Sequence, residues 1–288
     1  MRPLEAARAG HVDQDGVRVH WEVFGAGDPT IVLLPTWSIV HSRHWKFQVP
    51  FLARHHRLLT FDGRGCGRSG RPEGAAFYRR HAFTADTRAV MDATRTDEAV
   101  LVSFSAGALW ALQMAVDHPA RVLGLVTISP AVPLASLPAE RTSDPFEEPN
   151  DDTDGWAKYN RHYWERDYRD FLDFFFGRMF TEPHSTKAIE DGVGWGLETD
   201  PATLADTHRG LAASTGETIR SVAARVRQPV LVIHGDDDAV RPYATGVAVA
   251  ELTGGSLVTV AGGGHAPHCR HPVVVNRLIQ RFVDTVRR

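Results

Sequence analysis

One stretch, residues 98–112, constrains the fold of this chain more than any other. It reads EAVLVSFSAGALWAL, a short apolar run typical of a buried strand followed by residues with the composition of a helix. A strand that becomes a helix this abruptly needs a tight turn with small neighbours. Ser103 and Gly107 stand two residues on either side of Ser105, where larger side chains would collide with the turn. The stretch is therefore predicted to be a nucleophile elbow, G-x-S-x-G with Ser103 as the first residue, which lifts the Ser105 hydroxyl onto an exposed tip.

The rest of the chain alternates strand-like and helix-like segments. A hairpin is predicted over 11–24, because Asp15-Gly16 favours a tight two-residue turn. Helix 44–52 contains Pro50, which is expected to kink or end it. The further predicted strands are 30–34, 57–61, 99–104, 122–128, 230–233 and 256–260, and the further helices are 85–95, 108–117 and 273–286. Strands alternating with helices after an initial hairpin predict an α/β fold with a doubly wound, mostly parallel sheet.

The segment 132–210 breaks this alternation. Its first part, 136–154, is polar, acidic and poor in apolar residues, and its second part is helical in pattern and rich in aromatic residues. The β pattern resumes after it. We therefore expect a helical cap at 132–210, inserted into a core domain formed by 1–131 and 211–288.

Four phenylalanines in this cap are expected to bind substrate. A helix can hide one apolar stripe against its neighbours. Phe171, Phe174 and Phe175 share one stripe, whereas Phe176 lies on a second side. One stripe can form the core of the cap, and the other is expected to face a pocket beneath it, which predicts a substrate with an apolar or aromatic body.

Composition limits the class of protein. The 288 residues are 43% hydrophobic and 23% charged, as in ordinary globular proteins, and the net charge of −3 gives no general case for nucleic acid or an anionic membrane as partner. Two cysteines, Cys66 and Cys269, do not make a disulfide framework. The first residues lack the apolar run of a signal peptide, and no run reaches membrane-spanning length. We expect a cytoplasmic protein with a small-molecule substrate; no pattern specifies an oligomeric state.

Candidate partners for Ser105 follow it in the chain. A serine hydroxyl is a weak nucleophile that needs a base, and the base needs an orienting acid. A turn with three aspartates, 236–238, follows one predicted strand, and a glycine-rich loop carrying His265 follows the last. Because chemistry in open α/β sheets collects at the carboxyl ends of the strands, Ser105, one of these aspartates and His265 are predicted to meet there.

Three motifs in this order resemble the α/β-hydrolase superfamily, in its cap-bearing esterase- and lactonase-like branch. The family pattern G-x-x-D falls on residues 235–238 and selects Asp238 as the acid. The family's G-H falls on Gly264-His265, and its D-x-R-G-x-G-x-S loop is similar to residues 62–70. The resemblance implies an α/β-hydrolase fold and a triad of Ser105, His265 and Asp238, with neither metal nor organic cofactor.

The chain departs from the family at the oxyanion hole. Where the family usually has H-G-x-P, this sequence has PTWS at 35–38. By position, the resemblance assigns the oxyanion hole to the backbone N–H groups of Trp37 and Ala106. The large indole of Trp37 is expected to reach the pocket and to contact substrate.

The resemblance implies a serine hydrolase that cleaves an ester, lactone or similarly activated acyl group through an acyl-enzyme. Ser105 would attack the carbonyl, His265 would move the proton, and Asp238 would fix the imidazole tautomer. Two alternatives stay open: hydrolysis of a C–C bond in a β-dicarbonyl-like substrate on the same triad, and a ligand-binding or regulatory protein that retains a hydrolase site. Haloalkane dehalogenases and epoxide hydrolases are disfavoured, because they carry an aspartate where Ser105 stands.

Two other patterns are weaker. Residues 65–70 match G-x-G-x-x-G, but a proline follows at 72 where a dinucleotide-binding helix should begin. His265, His268 and His271 lack the spacing of a metal site. We expect His268 and His271 to be surface or helix-entry residues.

Overall fold

The computed structural model describes residues 4–141 and 145–286, and its central element is an eight-stranded sheet. The strands are β1 (Arg8–Gln14), β2 (Val17–Phe24), β3 (Ile31–Leu33), β4 (Leu58–Phe61), β5 (Ala99–Phe104), β6 (Val122–Ile128), β7 (Val230–Gly235) and β8 (Ser256–Val260). Their order in the sheet is β1-β2-β4-β3-β5-β6-β7-β8. β2 pairs antiparallel with β1 and β4, and the other neighbouring strands pair in parallel. The predicted α/β fold with a mostly parallel sheet is confirmed.

The hairpin at the edge of the sheet forms as its turn residues predict. Gln14 pairs with Val17, so Asp15 and Gly16 alone connect the two strands. Both have a positive φ, 52° and 73°, as a type I′ turn requires. The Asp13 carboxylate accepts a hydrogen bond of 3.0 Å from the Gly16 N–H.

Helices cover the sheet and fill the predicted cap. They are α1 (Val49–Leu52), α2 (Arg80–Ala93), α3 (Gly107–Asp117), α4 (Arg161–Arg166), α5 (Tyr168–Met179), α6 (Thr186–Gly196), α7 (Pro201–Ala212), α8 (Gly216–Ala223), α9 (Tyr243–Thr253), α10 (Pro267–Arg270) and α11 (Pro272–Val286). Helices α4 to α8 lie between β6 and β7. The boundaries of the cap at residues 132 and 210 stay a prediction. Residues 142–144 of the polar segment lie outside the described residues. No helix in 4–141 or 145–286 has the length and apolar character needed to cross a membrane.

The single helix predicted over 44–52 is wrong. A 3₁₀ turn, Ser42–Trp45, is followed by the short α1. Pro50 lies in the first turn of α1, where its missing N–H leaves no hydrogen bond unmade. The proline therefore belongs to a helix start rather than to a helix end.

A tryptophan joins the elbow helix α3 to α2 and to the loop after β3. Every residue of β5 is buried, and Trp110 of α3 is completely buried. The Trp110 ring stacks on Phe83 of α2 with centroids 4.4 Å apart, and its Nε1–H donates to the Pro35 carbonyl at 3.1 Å. This hydrogen bond ties α3 to the loop after β3, the loop that carries Trp37.

Helix α7 connects the cap segment to the core. Gly210 packs so closely that a Cβ there would lie 2.6 Å from the backbone of Tyr78. One turn earlier, Thr207 Oγ1 accepts a hydrogen bond of 2.7 Å from the Trp37 indole N–H. These two contacts hold α7 against Tyr78 and against the loop after β3.

The glycine-rich loop 62–70 is a packed turn. Gly67 has φ 55°, and a Cβ there would lie 2.3 Å from a carboxylate oxygen of Asp62. The same carboxylate accepts hydrogen bonds from the backbone N–H groups of Ser42 and Arg68. Glycine is needed here to admit the Asp62 side chain, which supports neither a phosphate cradle nor the dinucleotide interpretation.

Candidate active site

Ser105 sits on a strained turn between β5 and α3. Its φ of 51° lies in the left-handed region, which non-glycine residues seldom adopt. A Cβ on Gly107 would lie 2.8 Å from the Pro35 carbonyl oxygen and 3.3 Å from the Ser103 Cβ. Ser103 is completely buried, and its hydroxyl lies 3.3 Å from the Val126 carbonyl. The turn thus requires glycine at 107 and accommodates a buried serine at 103, where the usual motif has glycine.

The structure brings Ser105, His265 and Asp238 into one hydrogen-bonded chain. His265 Nε2 is 2.9 Å from Ser105 Oγ, and His265 Nδ1 is 2.8 Å from Asp238 Oδ2. A carboxylate only accepts, so the imidazole proton lies on Nδ1 and Nε2 is free to accept the Ser105 proton. Burial lowers the pKa of His265 despite the opposing charge of Asp238, which favours this neutral imidazole. The arrangement can act as nucleophile, base and orienting acid.

The Asp238 side chain is fully buried and its carboxylate accepts four hydrogen bonds. Oδ1 accepts from the backbone N–H groups of Val240 and Arg241, both at 2.8 Å. Oδ2 accepts from His265 Nδ1 and from His234 Nε2 at 2.9 Å. Burial alone would raise the pKa of Asp238, but the histidine charges and these hydrogen bonds hold that pKa well below its usual range. Asp238 is therefore an anion at neutral pH.

His234 is a site residue that the sequence analysis missed. It is completely buried in β7, and a Cβ on Gly246 of α9 would lie 2.4 Å from its Nδ1. The helix thus holds the ring in place, with Nε2 toward Asp238. One signal in the sequence could have indicated this role. His234 is a polar residue at the end of an otherwise apolar buried strand, and it stands four residues before Asp238.

The neighbouring aspartates have other surroundings. Asp236 is exposed, and its carboxylate accepts a hydrogen bond of 2.6 Å from the Gly262 N–H. Asp237 is also exposed. Among the three aspartates, Asp238 alone contacts His265 in the described structure.

Trp37 and Ala106 line the same cavity as Ser105. Trp37 follows β3, and Ala106 is the residue before α3. Within residues 4–141 and 145–286, neither backbone N–H donates a hydrogen bond to a protein acceptor. Two uncommitted N–H groups beside a nucleophile are what an oxyanion hole needs.

The cavity over Ser105 has a volume of about 350 Å³, within the range of small-molecule sites. Its walls are mostly apolar and aromatic, with a few polar side chains. The lining residues are Trp37, Ser105, Ala106, Leu109, Ala131, Pro133, Leu137, Glu140, Arg141, Phe146, Trp156, Tyr159, Phe175, His208, Leu211, Ala212, Ser214, Val240 and Arg241. Trp37 and Phe175 contact each other edge to face, with ring centroids 5.6 Å apart.

Four phenylalanines were expected to line the pocket, and one of them does. Phe175 lines the cavity, whereas Phe171, Phe174 and Phe176 are absent from its described lining. Phe171 packs on Trp164, and Phe174 packs on Trp156. Phe176, on the second side of α5, packs against α6, where a Cβ on Gly192 would lie 2.3 Å from its ring. The apolar surface that covers this second side is thus another cap helix and not the pocket.

His268 lies at the start of α10, as the helix-entry alternative expects. It is completely buried rather than at the surface, and its Nε2 is 3.0 Å from Nδ1 of His44, which is also buried. Burial lowers the pKa of His268 to about 3, so the pair is neutral at pH 7. Among residues 4–141 and 145–286, no three His, Cys, Asp or Glu side chains form a cluster suited to a metal ion.

Comparison with known proteins supports the assignment of this fold. The chain is 28% identical over 259 residues to the pimeloyl-(acyl-carrier protein) methyl ester esterase of Sodalis glossinidius (strain morsitans), covering 89% of this chain and 94% of that protein. It is 26% identical over 277 residues to the 2-hydroxymuconate semialdehyde hydrolase of Pseudomonas sp. (strain CF600), covering 93% and 91%. The crystal structure of the enol-lactonase from Burkholderia xenovorans LB400 shares the fold with a TM-score of 0.80 at 21% identity, covering 96% of this chain and 100% of that one. Residues 29–272 match the family described as alpha/beta hydrolase fold, and the chain belongs to that family.

Proposed function

We propose that this protein is a serine hydrolase that cleaves an ester, lactone or similarly activated acyl group of a small substrate with an apolar or aromatic body. The observation that carries the proposal is the hydrogen-bonded chain from Ser105 through His265 to Asp238, with contacts of 2.9 and 2.8 Å, at the floor of an aromatic-walled cavity. Similarity to a methyl ester esterase supports the ester class.

The proposed reaction runs through an acyl-enzyme. Ser105 Oγ attacks the carbonyl carbon while its proton passes to His265 Nε2, and the imidazolium is stabilised by Asp238. The N–H groups of Trp37 and Ala106 bind the oxyanion of the tetrahedral intermediate. Collapse breaks the bond to the leaving alkoxide, which takes the proton from His265. Water, deprotonated by His265, then attacks the acyl-enzyme, and as the bond to Ser105 Oγ breaks, His265 returns the proton to Ser105 and the acid is released.

A second candidate is hydrolysis of a C–C bond in a β-dicarbonyl-like substrate on the same triad. It is supported by the similarity to a 2-hydroxymuconate semialdehyde hydrolase. The two candidates share Ser105, His265 and Asp238 and differ in the substrate, so a panel that contains p-nitrophenyl esters, lactones and β-diketones separates them.

The nucleophile is tested by turnover of that panel. Ser105→Ala removes the attacking oxygen, so kcat is expected to fall by on the order of 10⁶, as for the serine of another hydrolase triad. Ser103→Ala is the matched control, because Ser103 is buried behind the turn and is expected to keep activity within about threefold. Steady-state kinetics and circular dichroism measure activity and folding. Undiminished turnover by folded Ser105→Ala contradicts the proposal.

The acid is tested by comparing adjacent aspartates. Asp238→Asn is expected to lower kcat by on the order of 10⁴, because an amide in this position no longer fixes the productive tautomer of His265. Asp237→Asn, at the adjacent and exposed position, is expected to change kcat by less than about threefold. Equal losses in the two variants would assign the turn a structural role.

The pH dependence follows from the base. Only His265 with Nε2 unprotonated accepts the Ser105 proton, and burial lowers its pKa. kcat/KM is therefore expected to rise with pH and to level off, with the midpoint of the acid limb below the ordinary value of 6.5. A profile that is flat from about pH 4 to 8, or a midpoint above about 7, would argue against a histidine base.

The cavity wall is tested by selectivity between a bulky aromatic ester and an acetate. Phe175→Ala is expected to lower this kcat/KM ratio about tenfold, since burying a phenyl ring against an apolar partner contributes roughly 1.5–3 kcal/mol. Phe174→Ala, on the same helix but outside the described lining of the cavity, is the control and is expected to keep the ratio. Equal ratios in wild type and Phe175→Ala would show that this ring does not select the substrate.

A further inference from the structure

Two arginines, Arg141 and Arg241, line the cavity beside Ser105, and neither forms an ion pair with a carboxylate among residues 4–141 and 145–286. Within residues 4–141 and 145–286, the Arg241 side chain has no hydrogen-bond or ion-pair partner, and its Nε is fully shielded from solvent. Arg141 donates to the backbone carbonyl of Val240, and its guanidinium lies 4.3 Å from the centre of the Trp156 ring. Both arginines are half-buried. Arginine side chains that are withdrawn from water ordinarily pair with carboxylates, so the absence of such a partner among the described residues needs an explanation.

The other ionisable groups of the cavity do not neutralise these charges. Burial lowers the pKa of His208 to about 4, so that ring is neutral at pH 7. Glu140 is exposed and forms no ion pair with either arginine among the described residues. Burial lowers the pKa of Arg141 to about 9, which leaves it cationic at neutral pH. Asp238 lies behind this lining, and its negative charge favours the cationic form of both arginines, but its carboxylate is paired with His234 and His265. Within residues 4–141 and 145–286, the cavity lining therefore carries two positive charges, neither of which forms an ion pair with a carboxylate.

The position of Arg241 connects these charges to the triad. Its backbone N–H donates to Asp238 Oδ1 at 2.8 Å, so its main chain is held by the same carboxylate that orients His265. Its side chain points to the cavity that contains the Ser105 hydroxyl. An anion bound by Arg241 would thus lie in the same chamber as the scissile bond.

We propose that the substrate carries a carboxylate in addition to the ester or lactone that is cleaved, and that Arg241 and Arg141 bind this carboxylate. A guanidinium presents parallel N–H donors that match the two oxygens of a carboxylate. The aromatic wall formed by Trp37, Trp156 and Phe175 would cover the apolar chain between the two ends of the substrate. This inference rests on the proposed hydrolase function and defines its substrate class.

The first test compares two p-nitrophenyl esters of nearly equal shape. The mono-p-nitrophenyl ester of adipic acid ends in a carboxylate, and p-nitrophenyl 6-methylheptanoate ends in a neutral isopropyl group. After subtraction of the uncatalysed rate, wild type is expected to prefer the adipate ester by about tenfold or more in kcat/KM. A preference for the neutral ester would overturn the inference.

Arginine variants identify the binding groups. Arg241→Met keeps the aliphatic stem and removes the charge, and it is expected to lower the adipate-to-neutral ratio by about 10- to 100-fold, with a smaller loss for Arg141→Met. Arg241→Lys restores part of the ratio if charge is what matters. Arg178→Met, which changes an exposed arginine of α5 outside the described lining, is expected to leave the ratio unchanged. Equal ratios in wild type and Arg241→Met would overturn the inference.

A binding measurement separates this inference from the hydrolase proposal. In Ser105→Ala, calorimetry is expected to give a dissociation constant for monomethyl adipate at least about tenfold below that for dimethyl adipate, and the difference is expected to shrink with added salt. If neither p-nitrophenyl ester is hydrolysed by wild type but monomethyl adipate binds preferentially, the hydrolase proposal fails and the carboxylate site stands. Equal binding of the two adipates overturns the site.

Discussion

The Asp238 carboxylate is the interaction on which the geometry of the site depends. It accepts hydrogen bonds from its own turn, from His234 within β7 and from His265 in the loop after β8. A buried carboxylate with fewer donors would be costly and would take up a proton. Because four donors satisfy the carboxylate oxygens, the anion is retained, the imidazole keeps one orientation, and Nε2 remains directed at Ser105. The turn after β7, the loop after β8 and the elbow at Ser105, which are distant in sequence, are thereby joined at one edge of the sheet.

The strained turn at Ser105 is held from both sides. A positive φ in a non-glycine residue costs of order 1–3 kcal/mol and persists where the surroundings enforce it. Here the Ser105 N–H donates to the Ile128 carbonyl at the end of β6, and the Ser105 carbonyl accepts from the Ala131 N–H, both at 2.9 Å. The same segment then supplies Ala131 and Pro133 to the cavity lining. The strained conformation that exposes the Ser105 hydroxyl is therefore held by hydrogen bonds to residues 128–131, which lead into the cap.

Local rules explain what could be predicted from the sequence. The turn at Asp15-Gly16, the elbow at Ser105 and the strands around them depend on a few adjacent residues, and the structure has them where predicted. Pro50 was expected to kink or end a helix because proline disrupts a helix interior, and the sequence alone does not show that the helix begins only one residue before it. The prediction that Phe176 faces the pocket was wrong, because the surface that covers this ring belongs to α6 and is defined only by tertiary packing.

The charged part of the site was hidden from sequence reasoning for a related reason. Arginines in loops are usually solvated, and nothing near Arg141 or Arg241 in the sequence indicates that the two meet in one cavity. His234 and His268 were likewise hidden, since polar residues in apolar surroundings are informative only once their partners are known. A motif could thus be assigned from the sequence, whereas what the pocket binds depends on contacts between residues about a hundred positions apart.

The central claim is that Ser105 is the nucleophile activated by His265, and covalent labelling tests it most directly. A fluorophosphonate probe reacts with a serine hydroxyl only where a base removes its proton, and peptide mass mapping identifies the modified residue. The account predicts one adduct, on Ser105, formed at a rate that falls when Asp238 is replaced by asparagine. An adduct on Ser103 or elsewhere, or no adduct on the folded wild-type protein, would contradict it.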